Sequence, residues 1–454
     1  MSNTMNSEIF RTLPPTKLFF RCAVPSVITM IFSSLYQMAD GVFVGRFIGQ
    51  DALAAINIIM PIIMMVFAFS NMIATGSSVN ISILLGEGKR EEASRVFTFS
   101  VKIIIFISCV LGVLGLIFAK PFICLIFPGA SEMSILYGVE YLRIYALFSP
   151  LLLVYFAADN YLRVCGKEKL SMDINVATQM VNVVLDIIFI VFLGQGIWAA
   201  AFTSCLAMAI GSVITLLLFR NKRLDIYYTH SKIKTSEFVH ILANGSSEFF
   251  NNISMFVMSA VLNLFLLKYG GTTAVAAFSV VMYVDSIVGM LNFGMCDALQ
   301  PAISYCYGAG LLDRVRAILK RVLCSVIITS LFAFMFMLYS GTFAVKLFIK
   351  PDDTELLEVS RVAIKLFSFS YLVGWIDMCF SSFFTALDKP VCSFTVAFFG
   401  TLIFPILFLF ILSSIWDLDG IWLMPAISGM ASAILTLILF FNISLKNHKK
   451  GSLL

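Results

Sequence analysis

The stretch Gly49-Gln-Asp-Ala-Leu-Ala-Ala55 occurs twice in this chain of 454 residues, because its pattern G-x-x-A-x-A-A returns at Gly271-Thr-Thr-Ala-Val-Ala-Ala277. A second pattern repeats with the same offset of 222 residues, since Gly86-Glu-Gly88 returns as Gly308-Ala-Gly310. Both patterns lie at the boundaries of apolar segments, and their shared offset makes chance identity a poor explanation. The sequence therefore predicts two halves with the same fold.

The composition places both halves in a lipid bilayer. Hydrophobic residues make up 60% of the chain and charged residues only 13%, which excludes an ordinary soluble protein. Polar breaks divide the sequence into twelve apolar segments, most of them longer than the roughly 20 residues that a helix needs to cross the hydrocarbon core. The segments are residues 18–45, 52–85, 92–119, 133–162, 170–193, 197–219, 237–267, 273–306, 315–341, 356–386, 391–413 and 420–443.

Each half then holds six segments, an even number, so both halves enter the membrane in the same sense. We expect an all-α polytopic membrane protein with 12 transmembrane helices in two six-helix bundles, related by a pseudo-two-fold axis along the membrane normal. The predicted lobes are residues 17–220 and 236–445, which face each other across a central cleft. Residues 221–235 form a polar linker, whose charges we interpret as a solvated face, and residues 1–16 and 446–454 are tails.

Lysine and arginine indicate the orientation of the spans. With both termini inside, most of the 31 basic residues fall in the tails and in the loops after even-numbered spans, as the positive-inside rule requires. Residues 1–16 are polar and contain Pro14-Pro15, so no signal peptide is evident. We expect a multi-pass protein of the inner (cytoplasmic) membrane with both termini cytoplasmic. The net charge of +5 follows from these loops and does not indicate a nucleic-acid partner.

Signatures of enzymes are missing from the sequence. It contains neither H-E-x-x-H nor G-x-x-x-x-G-K-[ST], so neither zinc-dependent proteolysis nor nucleotide hydrolysis is indicated. The ten cysteines form no C-x-x-C pair, and we predict no structural metal and no cofactor. Transport is then expected to draw on an ion gradient.

Asp40 lies inside the first apolar segment, in the stretch Tyr36-Gln-Met-Ala-Asp-Gly-Val-Phe-Val-Gly45. A charged side chain at the centre of a bilayer costs about 2.5 to 3.5 kcal/mol on insertion scales, so such an acid usually faces a protein or water cavity and has a function. We interpret Asp40 as part of a cation or proton site. The alternative is an acid near a span end that reaches the interface.

Asn182 and Asp186 are four residues apart in the fifth segment and project from the same helix face, where an amide oxygen and a carboxylate could ligate a cation or share a proton. Thr203 or Ser204 could add a hydroxyl oxygen. With Asp40 these residues make a site with two carboxylates, which Na⁺ or H⁺ would neutralise, and a neutral site tolerates a different helix arrangement from a charged one. The alternative is a set of hydrogen bonds that only hold the bundle together.

The C-terminal half also carries intramembrane acids. Glu248 in the seventh segment and Asp377 in the tenth are candidates for contacts with a cationic substrate or with a second ion. The alternative for both is pairing with Lys365 or another base within a span.

At these residues the sequence resembles the multidrug and toxic compound extrusion (MATE) family. Three features carry the resemblance along nearly the whole chain: Asp40-Gly-Val-Phe-Val-Gly45 running into the first copy of the repeat, Asn182-Val-Val-Leu-Asp186, and Gly196-Ile-Trp198 with Thr203. The resemblance implies a MATE-like fold and an antiporter that expels amphipathic, often cationic, organic compounds in exchange for Na⁺ or H⁺.

The resemblance also implies roles for single residues. Family members place a cation site on residues that match Asp40, Asn182, Asp186 and Thr203, with Tyr36 one turn before the first acid. We group Tyr36 with Glu248 and Asp377 as candidates for the substrate or second ion site.

Branches of the family differ in the second half of the chain. The NorM-like branch uses acids that match Glu248 and Asp377, although Asp388 replaces the arginine that usually follows Ala386-Leu387. The segment Gln300-Pro-Ala-Ile-Ser-Tyr-Cys-Tyr-Gly-Ala-Gly310 is more similar to the MepA-like branch.

Two other functions compete with drug export. Flippases of lipid-linked oligosaccharides belong to the same superfamily, but they commonly have fourteen spans and a strongly basic cavity, whereas acids are prominent here. A membrane enzyme or scaffold would leave the paired acids without a purpose. Neither the physiological substrate nor the choice between Na⁺ and H⁺ follows from the sequence. We expect a monomer in the lipid bilayer, because a two-lobe cleft needs no second chain.

Overall fold

A computed structural model describes residues 6–126, 129, 131–230, 232–348 and 354–449. Within these ranges the regular elements are α-helices with short 3₁₀ and π-helical turns, which confirms the all-α prediction. The outermost parts of both predicted tails and the loop at 349–353 lie outside the described residues.

Six spans cross in the first half of the chain, close to their predicted positions. They are Pro15–Ile48, Gln50–Gly86, Arg90–Ile126, Glu132–Val164, Glu168–Phe192 and Ile197–Leu218, numbered here as spans 1 to 6.

The second half contains four continuous helical runs in its described part: Thr235–Gly308, Leu312–Phe348, Thr354–Ala386 and Pro390–Ile443. The first has 74 residues and the last 54, both far too long for one crossing of a core about 30 Å thick. Each bends back at a residue in the left-handed region, Gly271 (φ 61°) in the first run and Asp417 (φ 46°) in the last. Spans 7 and 8 flank Gly271, and spans 11 and 12 flank Asp417, so the chain has the twelve predicted spans.

The sequence repeat corresponds to a repeat in the backbone. Gly49 and Gly271, the first residues of the two copies, both have positive φ (128° and 61°), and each begins the second span of its half. Gly88 and Gly310 likewise have φ of 80° and 71° where those spans end. Glycine adopts this conformation without steric penalty, which explains why the repeat is clearest at these turns.

The chain packs as two compact units. Unit 1 comprises Met1–Leu13 and Val24–Gly245, and unit 2 comprises Pro14–Ala23 and Ser246–Leu454. The boundary therefore falls inside span 7, and the polar segment 221–235 belongs to unit 1. Span 4 is central in unit 1, because spans 2, 3, 5 and 6 all pack against it.

Part of the segment predicted as a solvated linker is buried within unit 1. Asp225 is only 2% exposed and accepts hydrogen bonds from the backbone nitrogens of Asn6 (2.9 Å) and Ser7 (2.6 Å). The Arg90 guanidinium donates to the backbone oxygens of Leu224 (2.7 Å) and Asp225 (2.8 Å). The other charges of the segment are exposed, as a solvated face requires: Lys222, Arg223, Lys232 and Lys234. Asp225 alone among these charges departs from the prediction. Charge patterning does not reveal which charge finds a buried partner.

These contacts define one end of unit 1. The N-terminal segment lies against the start of span 3 and the loop after span 6, and a Cβ atom at Gly166, after span 4, would lie 2.7 Å from Ile9 Cδ1. Every loop that the positive-inside rule assigned to one side of unit 1 is therefore at this end, which we call the basic end.

Spans 2 and 7 meet with almost no side chain between them. A Cβ atom at Gly76 would lie 2.0 Å from the backbone oxygen of Ile241, and one at Gly245 would lie 1.8 Å from that of Met72. Small residues allow such close approach of helices in membrane proteins.

We expect Gly76→Ala to destabilise the protein by about 1–3 kcal/mol, because the added methyl group must push two backbones apart. Thermal unfolding in detergent measures the effect. Gly289→Ala is the matched control, since a Cβ atom there meets nothing within 4 Å. Equal unfolding temperatures for the two variants would contradict the packing described for spans 2 and 7.

Candidate functional site

Asp40 in span 1 and Asp186 in span 5 are both buried in unit 1. Asp40 is 9% exposed and Asp186 is fully buried. Asp186 lies close enough to Asp40 for their negative charges to repel each other. No lysine or arginine forms an ion pair with either acid in the part of the chain that the structure describes. The two predicted carboxylates are thus brought together without a base.

Thr203 in span 6 contacts the carboxylate of Asp186. Its hydroxyl donates to Asp186 Oδ1, and the same Oγ1 lies 2.9 Å from the backbone oxygen of Ala199 and 3.1 Å from that of Ala200. A hydroxyl group has one hydrogen to donate and can also accept. Thr203 can therefore donate to a charged Asp186, or accept from a protonated one while it donates to a carbonyl.

Asn182 connects Asp186 to span 6. With its amide oriented to satisfy both ends, Nδ2 donates to Asp186 Oδ2 (3.1 Å), and the amide oxygen accepts from Ser204 Oγ (3.1 Å) and Ser204 N (3.0 Å). The Tyr36 hydroxyl lies 3.4 Å from Ser204 Oγ. Spans 1, 5 and 6 are thus joined around the acid pair, and Tyr36, which the sequence analysis grouped with Glu248 and Asp377, contacts this site through Ser204.

The sequence analysis missed a pair of tyrosines in span 4. The rings of Tyr141 and Tyr145 stack with centroids 5.0 Å apart, and Tyr141 lies within the electrostatic reach of Asp40. Their spacing of four residues places them on one helix face, which is the only sequence signal for the pair.

One oxygen of the acid pair lacks a hydrogen bond. Asp40 Oδ1 is buried and has no hydrogen-bond partner in the described residues. Buried polar atoms are nearly always satisfied in native structures, so an exception needs an explanation such as an ion or a proton. Carboxylate, amide and hydroxyl oxygens are also the ligands that hard cations accept, so this set of side chains fits Na⁺ as well as H⁺.

Both acids are followed by π-helical turns. The turn Val44–Ile48 follows Asp40, the turn Ile187–Phe192 follows Asp186, and the two turns pack against each other. Single π-helical turns within α-helices are frequent at functional sites. The acid pair is therefore bounded by irregular backbone on the side away from the basic end.

In unit 2, Asp377 lies in the first turn of the helix Gly374–Ala386, after a 3₁₀ break at Phe369–Leu372 in span 10. Its Oδ1 accepts from Thr436 Oγ1 in span 12 (3.0 Å). A Cβ atom at Gly400, in the π-helical turn Phe399–Ile403 of span 11, would lie 3.1 Å from Asp377 Oδ2. Three spans thus converge on this acid.

Glu248 in span 7 has different neighbours. Asp297 in span 8 lies close enough to repel the charge of Glu248. No hydrogen bond joins Glu248 to Asp377 within the described ranges. Lys365 forms an ion pair with neither acid there. The role of Glu248 and Asp377 stays a prediction, but the structure gives them separate surroundings.

Two halves of six spans each, with an acid pair buried among the described residues and no ion pair to either acid there, are the architecture of a membrane transporter. The chain belongs to the MatE family, whose model matches residues 25–188 and 249–411, once in each half. The predicted resemblance is thereby confirmed.

Relatives of known name cover nearly the whole chain. The multidrug export protein MepA of Staphylococcus haemolyticus (strain JCSC1435) is 25% identical over 95% of this chain and 94% of its own length. MepA of Staphylococcus aureus (strain MSSA476) is 23% identical, with 95% of each chain covered.

Solved structures show the same fold. A MATE transporter crystallised in complex with MaL6 superposes with a TM-score of 0.89, at 23% identity over 98% of this chain and all of its own. The outward-facing conformation of a multidrug resistance MATE transporter of the MOP superfamily gives 0.87, at 24% identity over 96% and 97% of the two chains. The twelve-span fold is thus shared with MATE transporters.

We expect the coupling cation to stabilise the protein through the acid pair. A ligand present at 100 times its Kd adds about 2.7 kcal/mol of stability, so the unfolding temperature should rise with Na⁺ against choline, or with acidification, whichever ion binds. Asp40→Asn should abolish the rise, whereas Asp51→Asn, an exposed acid in the first turn of span 2, should keep it. A full rise in Asp40→Asn would place the cation elsewhere.

Proposed function

We propose that this chain is a secondary active multidrug efflux antiporter, which expels amphipathic, often cationic, organic compounds in exchange for Na⁺ or H⁺ by alternating access. The observation that carries the proposal is the buried pair Asp40 and Asp186, with which no lysine or arginine of the described residues forms an ion pair. Membership of the MatE family supports it, as do the names of the MepA relatives.

The acid pair is suited to coupling. Two carboxylates in a poorly solvated pocket repel each other, and a bound cation or proton removes that repulsion. Thr203 of span 6 donates to Asp186 of span 5, and Asn182 of span 5 joins Asp186 to Ser204 of span 6. The charge state of the pair therefore changes the preferred contacts between spans 5 and 6. An ion that binds one arrangement better than another shifts the population of conformations by that difference in affinity.

Drug and ion then compete through conformation. If the loaded site favours one arrangement and the drug favours the other, each ligand lowers the affinity for the other by the same factor. The ion gradient can thereby drive the drug outward. Exchange of this kind needs no cofactor and no chemical step, so we propose a transporter rather than an enzyme.

The alternative of a lipid-linked oligosaccharide flippase is not favoured. Recognition of an anionic pyrophosphate group calls for bases, whereas the described interior site of unit 1 contains two acids and three tyrosines.

The proposed setting is the cytoplasmic membrane, with lipid around a single chain. The basic end of unit 1 carries Arg90, Arg163 and Lys222, which the positive-inside rule places in the cytoplasm. Both termini would then be cytoplasmic. A monomer suffices, because all side chains of the acid site come from one unit of one chain.

Efflux of ethidium or a fluoroquinolone from cells that lack their own pumps tests the function. Wild type and Asp51→Asn should export, and Asp40→Asn and Asp186→Asn should fail at equal expression because the coupling charge is lost. Varying Na⁺ and pH separately identifies the ion. Export by both acid variants would overturn the proposal and move the coupling site to Glu248 and Asp377, which Glu248→Gln and Asp377→Asn then test.

A further inference from the structure

The buried side of span 5 is polar along its α-helical part. Every buried residue of its α-helical part, Glu168–Asp186, has a polar or charged side chain: Glu168, Ser171, Asn175, Thr178, Asn182 and Asp186. The spacing of three and four residues places them on one helix face, which we call the polar face of span 5.

The exposed side of the same helix carries large apolar residues, including Met180, Val181 and Val184, which are 40–53% exposed. The helix thus turns its polar residues inward. Burying polar groups is unfavourable unless each finds a partner, and a bundle in lipid can be held together by small apolar residues alone. A continuous polar face therefore calls for a reason beyond packing.

At the basic end, the polar face meets Asp159 of span 4. This carboxylate accepts from Ser171 Oγ, from Asn175 Nδ2 (2.6 Å) and from Arg163, whose NH2 lies 2.8 Å from Asp159 Oδ2. The side chains of Arg163 and Asp159 are only 7% and 16% exposed. A charged pair is thus held at the mouth of the polar face.

In the middle of the face, Gly211 of span 6 leaves space for polar contacts between spans 4 and 5. The Tyr155 hydroxyl donates to Asn175 Oδ1 (2.6 Å). At Gly211 a Cβ atom would lie 2.6 Å from Thr178 Oγ1 and 2.7 Å from the Tyr155 ring, so any side chain there would displace this pair. Beyond Thr178, the next buried residue of the helix is Asn182, which already belongs to the acid site.

We propose that the polar face of span 5 is the route along which the coupling ion passes between the acid pair and the basic end, with Asp159 as the carboxylate at its mouth. This inference rests on the proposed function and adds a path to it. Successive side chains are about one turn, or 5.4 Å, apart, a step that a hydrated cation or a chain of waters can bridge.

The route is closed in this conformation. Ser171, Asn175, Thr178, Asn182 and Asp186 are at most 8% exposed. Arg163 forms an ion pair with Asp159, so an ion that arrives from the basic end must compete with a guanidinium group for the carboxylate. Arg163 is in this sense a positioning residue, which holds the mouth neutral until the helices rearrange.

Two unpartnered oxygens lie beside the route. Gln179 donates from Nε2 to Ser33 Oγ (2.6 Å), but its Oε1 is buried without a hydrogen-bond partner in the described residues, like Oδ1 of Asp40. These two acceptors are available to a passing cation or water.

The test measures drug-free ion exchange in proteoliposomes, with ²²Na⁺ or an internal pH dye. Thr178→Val keeps the shape and removes a hydroxyl, and the loss of one hydrogen-bonding group should slow exchange about tenfold. Asn175→Leu should slow it at least as much. Affinity for the ion and for the drug should stay as in wild type, because the acid pair is intact. Thr395→Val, a half-buried threonine of span 11 in unit 2, and Asp173→Asn, an exposed acid of span 5, are the controls.

A purely structural role gives a different result. If these side chains only hold the helices together, Thr178→Val and Asn175→Leu should lower stability and drug affinity, and ion exchange should slow no more than drug transport does. That result would overturn the route. Wild-type exchange in both Thr178→Val and Asn175→Leu would overturn it as well. Asp40→Asn separates the two proposals. Wild-type ion exchange in this variant would show that the acid pair is not the coupling site. Loss of exchange would leave the acid pair in place, so that the results for Thr178→Val and Asn175→Leu decide the route alone.

Cysteine labelling gives a second measurement that does not depend on rates. In a variant without the ten native cysteines, Thr178→Cys should react with a membrane-impermeant thiosulfonate added on the side of the basic end, during turnover. Labelling only from the opposite side, or from neither side, would contradict the route.

Discussion

Two carboxylates, Asp40 and Asp186, are buried together inside a lipid-embedded unit, and no lysine or arginine in the described part of the chain pairs with either. This arrangement is tolerated because both oxygens of one acid find donors: Thr203 of span 6 donates to one oxygen of Asp186, and Asn182 of span 5 donates to the other. Asp40 Oδ1 has no donor in the described residues, and a mobile cation or proton can neutralise this acid. Much of unit 1 can be understood from this constraint, since spans 1, 4, 5 and 6 all contribute side chains around the pair.

Hydropathy and the internal repeat predicted most of the fold, because a bilayer requires long apolar helices and the repeated glycines specify where they turn. The break at Phe369–Leu372 was not predicted, since the apolar sequence continues through it. The packed segment around Asp225 was missed because its partner, Arg90, is distant in sequence. Gly166 and Asp388 occupy the same kind of turn with positive φ in the two halves, but the residue type differs and hides the correspondence.

Part of the site was readable from the sequence. Intramembrane acids are rare enough to stand out, and the spacing of Asn182 and Asp186 places them on one face. Thr203 was assigned to it by family resemblance and contacts Asp186, whereas Tyr36 was grouped with Glu248 and Asp377 and contacts Ser204. Tyr141 did not stand out among 14 tyrosines and 45 phenylalanines. The polar face of span 5 was missed for a different reason: spacing predicts which residues share a face, but only the structure shows which face is buried.

The central claim is that the acid pair couples drug movement to ion movement, and drug-driven ion transport in proteoliposomes tests it most directly. A drug gradient imposed across the membrane, with no ion gradient, should drive Na⁺ or H⁺ in the opposite direction in wild type. The same gradient should move no ion in Asp40→Asn or Asp186→Asn, even where drug binding persists. Drug-driven ion movement in those variants at the wild-type rate would contradict the account.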